Sequence, residues 1–550
     1  MVHHNPGEQP TESKFLQPAF LKENGYDAKV FFLFDAAQFG IDWQSFDKDV
    51  FPDTSAGAKW VKTKSAEIKA KYNEAKANGL KVYCMLDMLV LPKALVSKYE
   101  NQVLNNKGKI DISKPFTQKC FRYLMNQMFD VFPKLDGLVI CTGETYLQDA
   151  PFYIGNHPVQ NGMQDHVTLI NLLRDEVCVK RNKDLIYRTW DISKFHSLPK
   201  YYLSITDSIK PHEHLYFSIK HTIVDFWRAP PKASTIDYTK FNEYWINEAS
   251  SNGVTFNPNL GIGKHKQIVE VQCQREYEGK GAHPDYIARG VIEGFDELKT
   301  ANSKKPYCLA QLKDNPNFSG VWTWSRGGGW GGPYITNEFW CELNAYGMAE
   351  WTKHTNKSEE QICKEFALKK GLPAKEFSTF RQLCLLSTKG VMLGQYSMFG
   401  DVTVVWTRDN FFGGLYLLAG SFDKMIKNGS TTAYLNEKKE AVKVWGQIEA
   451  LSKQLHFKDT ALNSFIQTSC TYGRMKYAII EKGWNIMLMS KQVSFDRNEL
   501  AKLVSEYDSL WQEWKGYAAQ HHECPTIYKD ADEGWSMTKS INEIRKKVGA

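Results

Sequence analysis

At 550 residues the chain is too long for one ordinary hydrophobic core, so two or three domains are expected. Hydrophobic residues make up 42% and charged residues 24%, which excludes a disordered chain. A net charge of +7 is mild over this length and no Lys/Arg run is long enough to form a nucleic-acid patch, so no nucleic-acid partner is expected; no apolar run is long enough to span a membrane.

Strand and helix patterns alternate through the first 350 residues. A short apolar stretch at residues 1–5 reads as the first strand, and residues 29–35 as the second. An amphipathic helix over 58–78 stops at Gly79, in "NGLKVY", just before a third strand at 81–88. A helix over 114–132 leads to a fourth strand at 136–142, and one over 163–179 to a fifth at 184–190. The sixth and seventh strands are read at 214–220 and 267–275. A helix over 285–300 precedes the eighth, at 319–325. Strand–helix alternation repeated eight times predicts an α/β fold, a (β/α)8 TIM barrel over residues 1–355. Helical pattern then takes over, at 358–370, 435–454 and 497–518, and predicts a mostly α-helical C-terminal domain over residues 356–550.

The eleven cysteines are scattered, with no CxxC pair, and several lie in apolar stretches. They read as reduced thiols, and so as a cytoplasmic protein. The chain opens almost inside a strand, which leaves room for a leader or domain cut from its start; if a leader has been removed, the protein would be periplasmic or secreted. A homodimer contact, if one forms, is expected through the helical domain.

Barrel active sites lie at the C-terminal ends of the strands. The first strand runs into His3, His4 and Glu8, the second ends at Asp35, and the third ends at Asp87. The fourth, "LVICTGETY", delivers Glu144, and the fifth, "LIYRTWD", offers Arg188, Trp190 and Asp191. The sixth, "YFSIKHTIVDF", gives Lys220 and Asp225. The eighth, "VWTWSRGGGWGG", gives Trp322, Trp324, Arg326 and Trp330. The seventh, "VEVQCQREYEG", alternates Val269, Val271 and Cys273 with Glu270, Gln272, Gln274 and Glu276. In a closed barrel its even face points into the lumen, so Gln272 and Gln274 are expected inside and Glu276 at the mouth.

Three carboxylates around one mouth suggest glycoside hydrolysis, which needs one carboxylic acid to protonate the leaving oxygen and a second carboxylate opposite it. An aromatic content of 13%, with 16 Trp and 26 Tyr, suits sugar contact. His4, Glu8, Asp87, Trp190, Trp324, Arg326 and Trp330 are expected to line the substrate. Arg188 and Lys220 are two cations in the acidic layer, and they either form salt bridges or hold a substrate carboxylate. Each acid has the same plain alternative, a structural ion pair. The adjacent His3 and His4 diverge and the fifth strand carries no histidine, so neither metal nor organic cofactor is expected.

At these residues the chain resembles the α-glucuronidases of glycoside hydrolase family 67. "TGE" is similar to the family's S-E-G, "YRTW" to its W-R-A-F, "IKHTIVDF" to V-K-N-G-P-I-D-F, and "VEVQCQREY" to M-E-F-Q-I-T-Q-E-Y. "NAYGMAEW" at 344–351 resembles the opening of the family's helical domain. The likeness runs over roughly residues 130–400. It departs from the family at Ile223–Val224, in the longer loop 226–266, and in lacking the family's N-terminal domain. The resemblance implies release of a terminal α-linked uronic acid from an acidic oligo- or polysaccharide, with inversion. Glu144 would be the general acid, Asp225 and Glu276 would share the water, and Arg188 and Lys220 would bind the sugar carboxylate. Two alternatives stay open. One is a retaining glycosidase with Glu144 as acid/base and Glu276 as nucleophile, for which Gly143 replaces the usual Asn. The other is a glycan-binding barrel without activity. Carboxyl separations of about 5–5.5 Å for retention and about 6.5–9.5 Å for inversion distinguish the two mechanisms.

Overall fold

The computed structural model describes residues 13–142, 150–191, 194–223, 226, 256–275, 278–296, 307–326, 335–396, 422–525 and 537–549. Nine strands are described: β1 (Ala28–Phe31), β2 (Lys81–Asp87), β3 (Val90–Pro92), β4 (Gly137–Cys141), β5 (Tyr153–Gly155), β6 (Asp184–Arg188), β7 (Leu215–Lys220), β8 (Lys266–Gln272) and β9 (Phe318–Trp324). Seven of them form one sheet in the order β1-β2-β4-β6-β7-β8-β9, and every neighbouring pair is parallel. These correspond to the second through eighth strands of the sequence reading. The first, at residues 1–5, lies outside the described residues. β3 and β5 form a separate antiparallel pair.

The sheet curls, and side chains from all seven strands gather on its inner face. Val30, Tyr83, Met85, Val139, Ile186, Tyr216, Ile268 and Trp322 pack there. The outer face, with Val82, Leu138, Leu185, Phe217, Val269 and Val271, is buried in the larger cluster beneath the helices. Parallel strands buried on both faces read as continuous apolar runs, which is why β2, β4 and β6 were legible. Each fully buried aliphatic side chain contributes roughly 1.5–3 kcal/mol. Between the edge strands β1 and β9 lies a cavity of about 540 Å3, lined among others by Tyr26, Val30, Met85, Ile186, Trp322 and Trp324.

Local chemistry sets the boundaries. Helix Ala56–Ala77 begins where the Ser55 hydroxyl accepts from the Ala58 amide, and it ends before Gly79, whose φ of +74° only glycine adopts without strain. Gly137 opens β4 where a Cβ would stand 2.3 Å from the Asp184 carbonyl oxygen, so glycine lets β4 and β6 close. Helix Glu359–Lys369 carries a capping box between Ser358 and Gln361.

Three expectations are corrected. The second predicted strand stops at Phe31, because Leu33 takes a φ of +54° and opens a 3-10 turn, Leu33–Asp35. Asp35 then binds Lys71 instead of ending a strand. The fifth ends at Arg188, short of Trp190. Of the helix read over 285–300, the described part, 285–296, is helical over Ala288–Glu293 and breaks at Gly294, φ +108°, while 297–300 lie outside the described residues.

From Phe339 onward the described residues are helical. Long helices Phe377–Gln395, Thr431–Ser452, Thr460–Ser490 and Arg497–Gln520 pack in sequence. Helix Phe339–Lys353 bridges β9 and this region. All eleven cysteines are buried. Among the described residues no helix is long and apolar enough to cross a membrane.

Candidate active site

β4, β6, β7 and β8 are consecutive in the sheet, so their C-terminal ends stand side by side. Cys141, Arg188, Lys220 and Gln272 are their last residues. Of the residues expected to do chemistry, Glu144, Asp225 and Glu276 lie outside the described residues, as do His4, Glu8 and Trp330. Arg188, Lys220, Asp87, Trp190, Trp324 and Arg326 are described.

The lumen beneath the rim is built around Glu270, in the middle of β8. Its Oε2 accepts from Arg188 Nε at 3.0 Å and from the Ser218 hydroxyl at 3.3 Å. Its Oε1 accepts from Arg188 Nη2 and from the Trp324 indole, each at 2.6 Å. Ser218 in turn accepts from the Trp322 indole at 2.7 Å. The guanidinium lies against both tryptophans, 5.7 Å from the Trp322 ring centre and 5.4 Å from that of Trp324. Its remaining nitrogen, Nη1, points toward Cys141 Sγ, 3.4 Å away. Burial raises the Glu270 carboxyl, but the Arg188 charge and hydrogen bonds, Lys220 and Trp324 outweigh it and hold the group below its ordinary value. This is a two-point Arg–carboxylate pair buried on the inner face of the curled sheet.

Arg188 is therefore held by a protein carboxylate, as the salt-bridge alternative of the sequence reading allows. Trp324 sits in the lumen core at 6% exposure and spends its indole N–H on Glu270. Lys220 ends β7 with its ammonium 3.8 Å from the Trp190 ring centre and 4.4 Å from that of Phe226. One face of Trp190 thus meets a cation, and its ring stands edge-on to His196. Asp87 ends β2, buried. Arg326 pairs with Glu338 at 3.3 Å. Gln272 is inside, as expected. Gln274 is not: it follows the end of β8 and donates to the main-chain oxygen of Trp340 on the neighbouring helix. Among the described residues no group of three His, Cys, Asp or Glu could hold a metal ion.

Glu270 is the residue the sequence reading passed over. Its signal was present, since it shares the inward face with Gln272, but nothing in the spacing distinguishes an inward acid from a wet one. The partner that decides the matter, Arg188, is 82 residues away.

His196, His221 and His283 are buried imidazoles. Burial, then the Lys220 charge, push His196 down to about 4. Burial and Arg275 lower His221, and burial and Lys476 lower His283. In an unfolded chain these groups titrate near ~6.5. Between that pH and about 4, the unfolded chain binds protons that the folded His196 refuses. Stability is therefore full above about pH 6.5 and falls as the pH drops through that window, by up to roughly 3 kcal/mol from His196 alone. The melting temperature should decline from about pH 7 to about pH 4.5, with a shallower slope in His196→Gln. A flat profile over that range contradicts the assignment.

No family model matches the sequence, and no curated protein matches it. Solved structures do. A GH138 enzyme targeting pectin rhamnogalacturonan II superposes with a TM-score of 0.51 at 13% identity, covering 99% of this chain and 66% of that one. A GH84 protein, CpGH84B, matches at TM-score 0.40 and 11% identity over 99% of this chain and 76% of its own. An O-GlcNAc hydrolase of Thermobaculum terrenum matches at 0.39 and 7%, over 98% and 92%. The first of these defines the class of fold, a curled parallel α/β sheet with a helical region, shared with a barrel glycoside hydrolase. The chain spans about two thirds of that structure's length.

Proposed function

We propose that the chain is a glycoside hydrolase that releases a terminal α-linked uronic acid from an acidic glycan. The observation that carries this reading is the order β4-β6-β7-β8. It brings to one rim the strands whose sequences continue into Glu144, Asp225 and Glu276, with Arg188 and Lys220 between them. The fold shared with a GH138 enzyme supports the same reading. In it, Glu144 protonates the leaving oxygen, while Asp225 and Glu276 hold and deprotonate a water on the opposite face, giving inversion. Lys220 and the Arg188–Glu270 pair make the rim suited to a sugar carboxylate. In this reading Lys220 contacts the sugar carboxylate, beside the Arg188–Glu270 pair. Membership of the α-glucuronidase-like group of family 67, suggested by the strand motifs, belongs to this reading.

The test is hydrolysis of a panel of uronate-bearing oligosaccharides, pectic ones included, with proton NMR of the anomer first released. The β-anomer of the uronic acid is expected from an α-linkage; the α-anomer would establish retention and make Glu276 the nucleophile. A hydrogen bond to a charged group is worth about 1.5–3 kcal/mol. Aryl α-glucuronides should accordingly be cleaved at least ~10-fold, and up to ~10²-fold, better in kcat/KM than the matching glucosides. Lys220→Met should erase most of that preference. Equal cleavage of both sugars by the wild type rules out the uronate.

A further inference from the structure

The barrel and the helical region meet along the stretch that follows β8. Arg275 and Glu278, both fully buried, flank residues 276 and 277 in the sequence. Arg275 Nη1 donates to Glu278 Oε1 at 3.0 Å, and the hydroxyl of Tyr396 donates to the same oxygen at 2.9 Å. Tyr396 stands at the end of helix Phe377–Gln395. In the other direction, Arg275 Nη2 lies 3.3 Å from His221 Nε2, and His221 Nδ1 lies 3.3 Å from the main-chain oxygen of Glu270. An arginine nitrogen can only donate, so Nε2 accepts, and the single proton of the neutral ring sits on Nδ1, donating to Glu270. Burial and the adjacent guanidinium keep that ring neutral.

The result is an unbroken line of hydrogen bonds from the helical region, through the loop after β8, to the residue that follows Lys220 on β7. Gln274 and His283 add contacts to the same region, at the Trp340 carbonyl and at the Lys476 ammonium, 3.5 Å from His283 Nε2. An apolar contact of the same volume would hold two domains together at least as well, because a buried ion pair loses much of its attraction to desolvation. What a fully bonded polar line adds is a single geometry.

We propose that His221, Arg275, Glu278 and Tyr396 form a positioning relay by which the helical region fixes the ends of β7 and β8, making it part of the catalytic apparatus. The inference rests on the reading that Asp225 and Glu276, which follow those two strands, share the attacking water. None of the four is a catalytic residue.

The test uses the full chain with Tyr396→Phe, which removes one hydroxyl and keeps the ring. Hydrogen exchange is followed in peptides covering residues 216–223 and 270–286, with kcat and KM measured on 4-nitrophenyl α-D-glucuronide. Exchange in both peptides should accelerate about tenfold, while β2 and β4 stay protected. The kcat should fall about 10- to 100-fold with KM nearly unchanged, since small misplacements of reacting groups cost rate more than binding. Glu278→Gln, carried through the same measurements, serves if Tyr396→Phe does not fold, and it should act in the same direction. Unchanged exchange overturns the relay whatever the activity. Faster exchange with a wild-type kcat overturns the positioning role. If wild type and Glu276→Gln are equally silent on the probe, the proposed reaction fails, and the exchange result still decides the relay.

Discussion

Glu144→Gln is expected to lower turnover on unactivated uronate glycosides by about 10²–10⁴-fold, the usual contribution of a positioned general acid. The amide is isosteric, but it has no acidic proton to deliver to a leaving alkoxide that is otherwise too basic to depart. The loss should shrink toward about tenfold on aryl glycosides with good leaving groups, which depart with little protonation. Binding should change little, so the effect should appear in kcat. Steady-state kinetics on both substrate types checks this. Equal losses on the two would remove Glu144 from the acid role and leave it as a structural carboxylate.

The second large effect is expected at Glu270. Replacing it by Leu withdraws the carboxylate that grips Arg188 at two points, and it strips the Trp324 indole and the Ser218 hydroxyl of their acceptor. Removing one member of a buried pair costs about 3–5 kcal/mol, because the remaining charge keeps its desolvation penalty. The loss should register as a marked fall in melting temperature. Arg188→Met in the same chain should recover much of it, since two apolar side chains leave no charge behind in the lumen. A double-mutant cycle by thermal or denaturant unfolding measures the coupling. A cost under about 1 kcal/mol for Glu270→Leu would mean that the pair is solvated and that the lumen is wetter than its burial indicates.

The sequence by itself determined the strand–helix alternation, because parallel strands covered on both sides are written as compact apolar runs, as in "LKVYCMLDM" and "LDGLVIC". It also placed Asp87 and Lys220 at the C-terminal ends of β2 and β7, but it carried the second strand on to Asp35, past the end of β1 at Phe31. The inward face of β8 could be read from its period of two, and Glu270 and Gln272 do face the lumen. Gln274 does not, because the strand ends two residues earlier and a side chain beyond the last ladder bond is free to turn toward the Trp340 carbonyl.

Only the tertiary structure decided how the charges are paired. Arg188 and Glu270 are 82 residues apart, and each taken alone reads equally well as a ligand for sugar or as half of a salt bridge. The same holds for the line from Tyr396 through Glu278 and Arg275 to His221, whose members come from one helix, one loop and one strand end. Periodicity reports which way a side chain faces along its own element. Which partner waits there is set by the curl of the sheet and the docking of the helices, which bring distant segments within hydrogen-bond reach.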